Sequence, residues 1–216
     1  MKAVIFIITA IVSYLIGSLN FAIIVSHDLD KDDVRKHGSK NAGLTNVLRT
    51  YGKHEAFLTF LGDFLKGIFT TALTKIVFSV LGFSDIALTA MYFSMLFTVM
   101  GHSYPIYFKF KGGKGILTSA ACLLVIDWRI FLIIISVFAG LVLITRIVSL
   151  ASIAAAITAG ITATYFGFTG SEKHPVINTI LIIAIVIFVI IKHRENIKRL
   201  INGTENKLFF GKKKQG

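Results

Sequence analysis

The 216-residue chain is too apolar to be an ordinary soluble domain. Hydrophobic residues make up 55% of it, charged residues only 16%, and its mean hydropathy is +0.77, whereas about 25% of the residues of a soluble domain are charged. We therefore expect the lipid bilayer to be its solvent. The net charge of +12 would suggest a nucleic-acid partner in a soluble protein, but in a membrane protein basic residues mark the inner loops, so we expect no nucleic acid.

Uninterrupted apolar runs predict an all-α, polytopic helix bundle with about seven transmembrane helices. Hydrocarbon cannot satisfy backbone hydrogen bonds, and the runs lack the alternation of barrel strands, so helices are favoured. The fourth run has only 11 residues and could be a re-entrant stub, which leaves five, six or seven full spans open. No repeat or linker divides residues 1–216, which we expect to form one membrane-embedded domain. The runs cover residues 3–25, 56–81, 86–100, 116–126, 130–145, 149–168 and 176–191.

The basic residues separate sharply when the loops are assigned alternately to the two sides. Eighteen of the 23 Lys and Arg residues fall on one side, whereas the other side takes Lys2, Arg129 and Lys173, and two lie inside the second run. The positive-inside rule makes the basic loops cytoplasmic, with the N-terminus outside and the C-terminus inside. The basic tail, Lys212 to Lys214, would anchor that end at anionic lipid.

The first cytoplasmic loop, between Asp33 and Arg49, has residues suited to a phosphate. Two glycines permit tight turns, and the loop adds neutral hydrogen-bonding groups and a guanidinium. A solvated linker with helix caps would explain the same residues about equally well. The polar candidates are Ser39, Asn41, Thr45, Asn46 and Arg49, with Gly38 and Gly43 at the turns.

The second cytoplasmic loop, residues 101–115, ends in a glycine-rich segment before the fourth run. Gly112, Gly113 and Gly115 would let backbone N–H groups approach an anion at a helix start, and Lys114 supplies charge. It is not a Walker P-loop, because Phe108 and Gly115 occupy positions where that motif needs Gly and Ser/Thr. A basic, aromatic interfacial belt is the alternative interpretation.

The third polar element, residues 193–205, prolongs the last run. His193 and Asn196 are three residues apart on the predicted helix and can face one spot just beyond the membrane core. A plain basic membrane flank would explain its charges, although less readily its Asn and Glu residues.

Two smaller signals have competing interpretations. His27 and Asp32 fit the His-x4-Asp pattern of the large glycerolipid acyltransferase superfamily, but two common polar residues coincide easily. Asp63 and Lys66, inside the second run, are candidates for function because charges in a membrane are costly; a structural ion pair is the interpretation we favour.

Taken together, the polar elements resemble those of the bacterial acyl-phosphate:glycerol-3-phosphate acyltransferase family, whose members are small polytopic enzymes that make lysophosphatidic acid. The matches cover about a quarter of the chain, and four ordered motifs are a specific signal. One departure is Lys40, where the family usually has Gly. The matching residues are Asp33, Arg35, Gly38, Ser39, Asn41, Gly43, Thr45, Asn46 and Arg49; Gly101, His102, Pro105, Phe110, Lys111, Gly112, Gly113, Lys114 and Gly115; Thr145, Arg146, Ser149 and Ser152; and His193, Arg194, Asn196, Arg199, Gly203 and Glu205.

The resemblance implies a phospholipid-synthesising enzyme of the bacterial cell (inner) membrane with its active site on the cytoplasmic side. It would transfer a fatty acyl group from acyl phosphate to glycerol-3-phosphate, releasing lysophosphatidic acid and inorganic phosphate. We expect no cofactor and no metal; the oligomeric state stays open. The predicted catalytic residues are Ser39, Arg49, Lys114, His193 and Asn196. The predicted phosphate-binding residues are these five together with Asn41, Gly43, Thr45, Asn46, Gly112, Gly113 and Ser149.

The base that removes the glycerol hydroxyl proton is a separate question. The substrate's own phosphate is our first hypothesis, with His193 or His102 as the competing base. A transporter or channel is the leading rival function, and a purely structural membrane subunit is the third.

Overall fold

The computed structural model describes residues 1–170 and 172–208, and within these residues it contains helices and no strand, which confirms the all-α prediction. The predicted basic anchor, Lys212 to Lys214, lies outside the described residues. The described residues form ten α-helices. They are α1 (Lys2–Gly17), α2 (Phe21–Asp30), α3 (Leu44–Thr50), α4 (Lys53–Val80), α5 (Ala87–Ser103), α6 (Ile116–Ile126), α7 (Trp128–Thr145), α8 (Val148–Thr169), α9 (Pro175–Lys192) and α10 (Arg194–Ile201).

Five helical segments in this part of the chain are long and apolar enough to cross a membrane. They are the α1–α2 segment, Lys2–Asp30, and helices α4, α7, α8 and α9. Helix α5 has 17 residues and α6 has 11, so these two are the segments on which a count of seven depends.

The first predicted run is not one helix, because the chain breaks between α1 and α2. Asn20 begins α2 as its N-cap, with its side-chain oxygen accepting a hydrogen bond from the N–H of Ile23 at 3.2 Å. A polar cap in an apolar run thus ends one helix and begins the next. The break frees the carbonyl of Leu19, which accepts a hydrogen bond from Lys66 Nζ at 2.7 Å.

Helices α1 and α5 cross closely because each has a glycine at the crossing. A Cβ on Gly17 would collide with the backbone of Thr98, and one on Gly101 would collide with the backbone of Tyr14. Small residues are the usual means of bringing two membrane helices together, since lipid supplies no hydrophobic drive. This crossing places the end of α5, and the glycine loop after it, beside the α1–α2 break.

The polar loops meet at one end of the bundle. Arg35 forms an ion pair with Asp33 and donates hydrogen bonds to the carbonyls of Phe108 at 2.9 Å and Lys111 at 3.0 Å, which ties the first loop to the second. The N–H of Leu208 donates to the carbonyl of Arg146 at 2.7 Å, which ties the segment after α10 to the loop between α7 and α8.

Candidate active site

A cavity of about 300 Å³ opens where these loops meet and continues between the helices. Its rim is polar and includes Ser39, Arg49, Lys114, His193 and Asn196, which are the five predicted catalytic residues. Its inner part is apolar and is lined mainly by α5 to α9. The apolar lining includes Met95, Leu123, Phe138, Ala155, Ala159, Ile182, Ile185, Val186 and Val189. The cavity therefore joins a charged mouth to an apolar interior.

Ten of the twelve predicted phosphate-binding residues line this cavity, and Gly112 and Gly113 do not. The N–H of Gly112 donates to the carbonyl of Ser103, and the N–H of Gly113 donates to that of His102. These N–H groups close the end of α5 in this structure, and the phosphate-binding role of the two glycines stays a prediction. The cavity is faced instead by Gly115, Ile116 and Leu117, where α6 begins and its first N–H groups have no partner within the helix.

Asn46 organises the first loop. Its side-chain oxygen accepts a hydrogen bond from the N–H of Ser39 at 3.0 Å, and its amide donates to the carbonyls of Val34 at 2.9 Å and His37 at 3.0 Å. The side chain is buried and its hydrogen-bonding capacity is largely used within the protein. It therefore shapes the loop that holds Ser39 at the rim rather than reaching a ligand itself.

Lys40 lies in the same loop with a left-handed backbone, φ +57°. That conformation is strained for a side chain with a Cβ and free of strain for glycine. The structure thus accounts for the one departure from the family pattern: the chain keeps the turn that glycine would favour and accepts the strain.

The rim's cations are connected through one amide and one carboxylate. Lys114 Nζ donates to the side-chain oxygen of Asn196 at 2.5 Å, and the Asn196 amide donates to Glu205 at 3.0 Å. Arg199 pairs with the other Glu205 oxygen at 2.8 Å. Burial lowers the pKa of Lys114 to about 8, although Glu205 opposes the shift. Burial also lowers the pKa of Arg49, which stays charged.

His193 lies at the end of α9 with its ring held in one tautomer. Its Nδ1 is 2.8 Å from the carbonyl oxygen of Val189, and because a carbonyl only accepts, Nδ1 carries the proton and Nε2 has the free lone pair. Burial, followed by the nearby Lys114, lowers the pKa of His193 to about 4. The ring is therefore neutral at pH 7.

Ser149, in the first turn of α8, lines the cavity with a buried hydroxyl that has no hydrogen-bond partner among the described residues. An unpaired buried hydroxyl costs about 1–3 kcal/mol. A bound polar ligand would supply the missing partner, and this is the only predicted site residue for which burial without a partner in the described chain points directly to a ligand.

Several residues of the cavity lining were not among the predicted site residues. Asp63, His102, Glu205 and Asn206 all lie there, whereas the sequence indicated a structural pair for Asp63 and weighed His102 only as a possible base. The signal was present in Asp63 and Lys66, because charges inside a membrane segment are functional candidates by default.

The His-x4-Asp alternative is wrong. The exposed ring of His27 lies against its neighbour Asp28 at 3.3 Å, whereas Asp32 contacts His37 Nε2 at 2.5 Å and the hydroxyl of Tyr51 at 3.1 Å. His27 and Asp32 therefore form no dyad.

A helix bundle that combines a cationic rim with an apolar interior cavity has the build of a membrane-embedded enzyme for substrates with an anionic head and a fatty chain. Sequence comparison agrees with this class. A family model described as glycerol-3-phosphate acyltransferase matches residues 7–203, and the chain belongs to that family.

Relatives and solved structures extend the match over nearly the whole chain. The glycerol-3-phosphate acyltransferase of Clostridioides difficile is 39% identical over 210 residues, covering 97% of this chain and 98% of the relative. That of Neisseria meningitidis serogroup B is 38% identical, covering 91% and 94%.

The crystal structure of PlsY (YgiH), an integral membrane glycerol 3-phosphate acyltransferase, has a TM-score of 0.81 and 36% identity in its glycerol 3-phosphate form, covering 94% of this chain and 96% of that one. Its lysophosphatidic acid form gives 0.78 and 35%, covering 94% and 95%. These matches confirm the resemblance and the prediction of a membrane acyltransferase, and they exclude the transporter and structural-subunit alternatives.

Proposed function

We propose that this acyltransferase uses acyl phosphate as its donor and transfers the acyl group to glycerol-3-phosphate, giving lysophosphatidic acid and inorganic phosphate. The observation that carries the proposal is the two-part cavity, in which Arg49 and Lys114 stand at the mouth of a channel lined by apolar side chains. Both substrates carry a phosphate, one carries a fatty chain, and the cavity offers a place for each part.

Acyl phosphate suits this cavity because the donor is already activated. A mixed anhydride needs no covalent enzyme intermediate, so the protein has only to hold two anions, orient the glycerol hydroxyl and stabilise the developing oxyanion. The chain's single cysteine, Cys122, is buried in α6, with its thiol directed at the carbonyl of Gly67 at 3.5 Å, and it does not line the cavity. A thioester intermediate on that residue has no geometric support.

The rim residues divide the work of binding. Arg49 and Lys114 supply charge to the phosphates, Ser39 and Asn41 supply neutral donors, and Ser149 uses its free hydroxyl. The nearby Gly43 and Thr45 complete the same wall, with the Asn41 amide lying over Gly43. Asn196 positions Lys114 through its side-chain oxygen.

Burial makes His193 a weak base, which leaves the substrate phosphate as the base in our mechanism. A phosphate monoester loses its second proton with a pKa of about 6, whereas His193 has a pKa of about 4. The proton of the glycerol hydroxyl therefore goes to the phosphate in our mechanism, and His193 Nε2 accepts a hydrogen bond that orients the hydroxyl.

The donor assignment is tested by offering one fatty chain on three carriers. Purified protein is given glycerol-3-phosphate with palmitoyl phosphate, palmitoyl-CoA or palmitoyl-acyl carrier protein, and lysophosphatidic acid is measured. We expect product, with equimolar inorganic phosphate, from palmitoyl phosphate alone. Comparable rates from either thioester would refute the assignment, and an Arg49→Ala variant, which removes a rim cation, serves as the inactive control.

We further propose that all of residues 1–216 form one domain with seven spans, the N-terminus outside and the C-terminus cytoplasmic, in the bacterial cell (inner) membrane. Although α6 is short, Arg129 in the first turn of α7 lies over the ring of Phe166 near the end of α8, at 4.5 Å. The α6–α7 turn thus reaches the end of α8 farthest from the rim, which supports a crossing.

Cysteine labelling tests this topology on a suitable background, because Cys122 is buried. Lys53, Arg129 and Lys173 are exposed and are each replaced by Cys. An impermeant maleimide applied to intact cells should label positions 129 and 173 and leave 53 unlabelled until the cells are opened. Labelling of position 53 from outside would reverse the orientation.

A further inference from the structure

Lys66 lies beneath the cavity with all three of its N–H donors in use. Its ammonium contacts Asp63 Oδ1 at 2.6 Å, the carbonyl of Leu19 at 2.7 Å and His102 Nδ1 at 3.1 Å. The side chains of Lys66, Asp63 and His102 are only 3%, 2% and 6% exposed. An ammonium has three donors and no acceptor, so the three contacts saturate it.

This arrangement determines the tautomer of His102. A donor at 3.1 Å requires a lone pair on Nδ1, because a proton there would point at the ammonium. The Asp63 oxygen, at 3.5 Å from Nδ1, is the more distant neighbour and is already engaged by Lys66 and by the N–H of Phe21. The proton of the neutral ring is therefore on Nε2.

Because Nδ1 is turned towards Lys66, Nε2 is the ring nitrogen left for a ligand in the cavity. His102 lines the cavity, and its Nε2 has no hydrogen-bond partner among the described residues. The ring lies directly against Gly113, where a Cβ would collide with Nε2. This contact explains the need for glycine in the loop after α5, because the loop backbone packs against the imidazole and a side chain at position 113 would collide with Nε2.

His102 and His193 thus face one cavity with opposite tautomers. His193 presents a lone pair on Nε2, because Val189 accepts from its Nδ1, whereas His102 presents a proton. Of the two histidines considered as bases, His102 has its lone pair turned away from the substrate, towards Lys66.

We propose that His102 is a neutral hydrogen-bond donor to the acyl carbonyl oxygen, and that Lys66 is the positioning residue that holds it in this form. This rests on the proposed function. The glycerol oxygen attacks the carbonyl carbon, the carbon–oxygen bond to phosphate breaks, the phosphate leaves with the electron pair, and the hydroxyl proton goes to phosphate. His102 transfers no proton and stabilises the oxyanion while it exists.

A neutral donor suits this task because the carbonyl is uncharged in the ground state and becomes anionic in the transition state. The hydrogen bond strengthens as charge develops, which lowers the barrier without tightening ground-state binding. The phosphates are charged throughout, and the cations Arg49 and Lys114 are suited to them. Asp63 offsets the charge of Lys66, so that the Lys66 ammonium holds the His102 ring without itself attracting a substrate anion.

Nitrogen-15 NMR of histidine-labelled protein measures the tautomer directly. The His102→Gln variant assigns the resonances by their loss. We expect an unprotonated Nδ1 and a protonated Nε2 for His102 at pH 7.5, and both nitrogens averaging between tautomers in Lys66→Met. A protonated Nδ1 in the wild-type protein would overturn the proposal.

Two substitutions at position 102 separate the hydrogen-bond donor at Nε2 from the acceptor at Nδ1 that contacts Lys66. The amide of Gln reaches the place of Nε2 and can donate there, whereas the oxygen of Asn takes the place of Nδ1 and accepts from Lys66. We expect the kcat of His102→Gln to stay within about tenfold of the wild-type value. We expect the kcat of His102→Asn to be about 10²–10³-fold lower, which is the usual cost of removing one oxyanion donor. Lys66→Met should lower kcat, with the dissociation constant of glycerol-3-phosphate unchanged.

The remaining outcomes are decisive. Equal losses of kcat in the two His102 variants would assign a base or a purely structural role. A dissociation constant for glycerol-3-phosphate that weakens as much as kcat/KM falls would make His102 a phosphate ligand. Each of these results overturns the proposal. If wild-type protein makes no lysophosphatidic acid from palmitoyl phosphate, the proposed function fails first; if it is active and the variants behave otherwise, this inference alone fails.

Discussion

The pKa of Lys114 predicts an alkaline limit to substrate binding. Burial lowers that pKa to about 8, so roughly one tenth of the free enzyme has a neutral Lys114 at pH 7 and roughly nine tenths at pH 9. In the proposed mechanism the cationic form binds phosphate, and this form is present below the pKa and lost as the pH rises through it. We therefore expect kcat/KM for glycerol-3-phosphate to fall about tenfold per pH unit above pH 8.

The matched variant is Lys114→Arg. A guanidinium stays charged at every pH of the assay, so the variant should be slower because its geometry differs from that of Lys, and its profile should be flat from pH 7 to pH 9.5. The assay measures lysophosphatidic acid with palmitoyl phosphate, corrected at each pH for spontaneous hydrolysis of the donor. Glu205→Gln removes the carboxylate that raises the pKa of Lys114. The fall of kcat/KM at alkaline pH should therefore begin at lower pH in this variant. An unchanged alkaline limb in Lys114→Arg would refute the reasoning.

Substitutions at three other positions test separate parts of the site. Ser149→Ala should reduce kcat/KM by about tenfold and leave thermal stability unchanged or higher, because it removes a buried hydroxyl without a described partner. The control is Ser136→Ala, at an exposed serine that is hydrogen-bonded within its own helix. It should change neither kcat/KM nor thermal stability. Lys40→Gly should raise the free energy of unfolding by about 1 kcal/mol, since φ +57° suits glycine, with activity retained; lower stability in urea titration would contradict the strain argument. His193→Gln should keep more kcat than His193→Ala. In both variants the rate should still fall at low pH near the second pKa of the substrate phosphate. Loss of this fall in the variants would identify His193 as the base.

Sequence reasoning predicted most of the helices because apolar runs of span length have few alternatives in a bilayer. The α1–α2 break was missed, since a single polar residue, Asn20, can be either a tolerated polar group or a helix cap. Only the fold shows that the Asn20 side chain caps α2 by accepting from the N–H of Ile23, and that the carbonyl of Leu19 accepts a hydrogen bond from Lys66.

The rim could be predicted because its residues have the chemistry of an anion site and their loops share one side. The hydrogen-bond partners of Gly112, Gly113 and Asn46 could not be predicted, since a backbone N–H or a side-chain amide can bind either a ligand or the protein itself, depending on its neighbours. The tautomers of the two histidines are likewise tertiary properties. They follow from one carbonyl four residues away and one ammonium on another helix.

The mouth of the cavity is assembled from both ends of the chain, from Ser39 near the start to Glu205 and Asn206 near the end. Glu205 reaches back to hold Asn196 and Arg199, and the carbonyl of Asn206 accepts from Arg49 at 3.4 Å. During biosynthesis the last of these groups leaves the ribosome after α10, the last helix of the described residues, has been made. A partly inserted chain therefore lacks a finished cavity mouth, and fusion partners intended to preserve that mouth belong beyond residue 208.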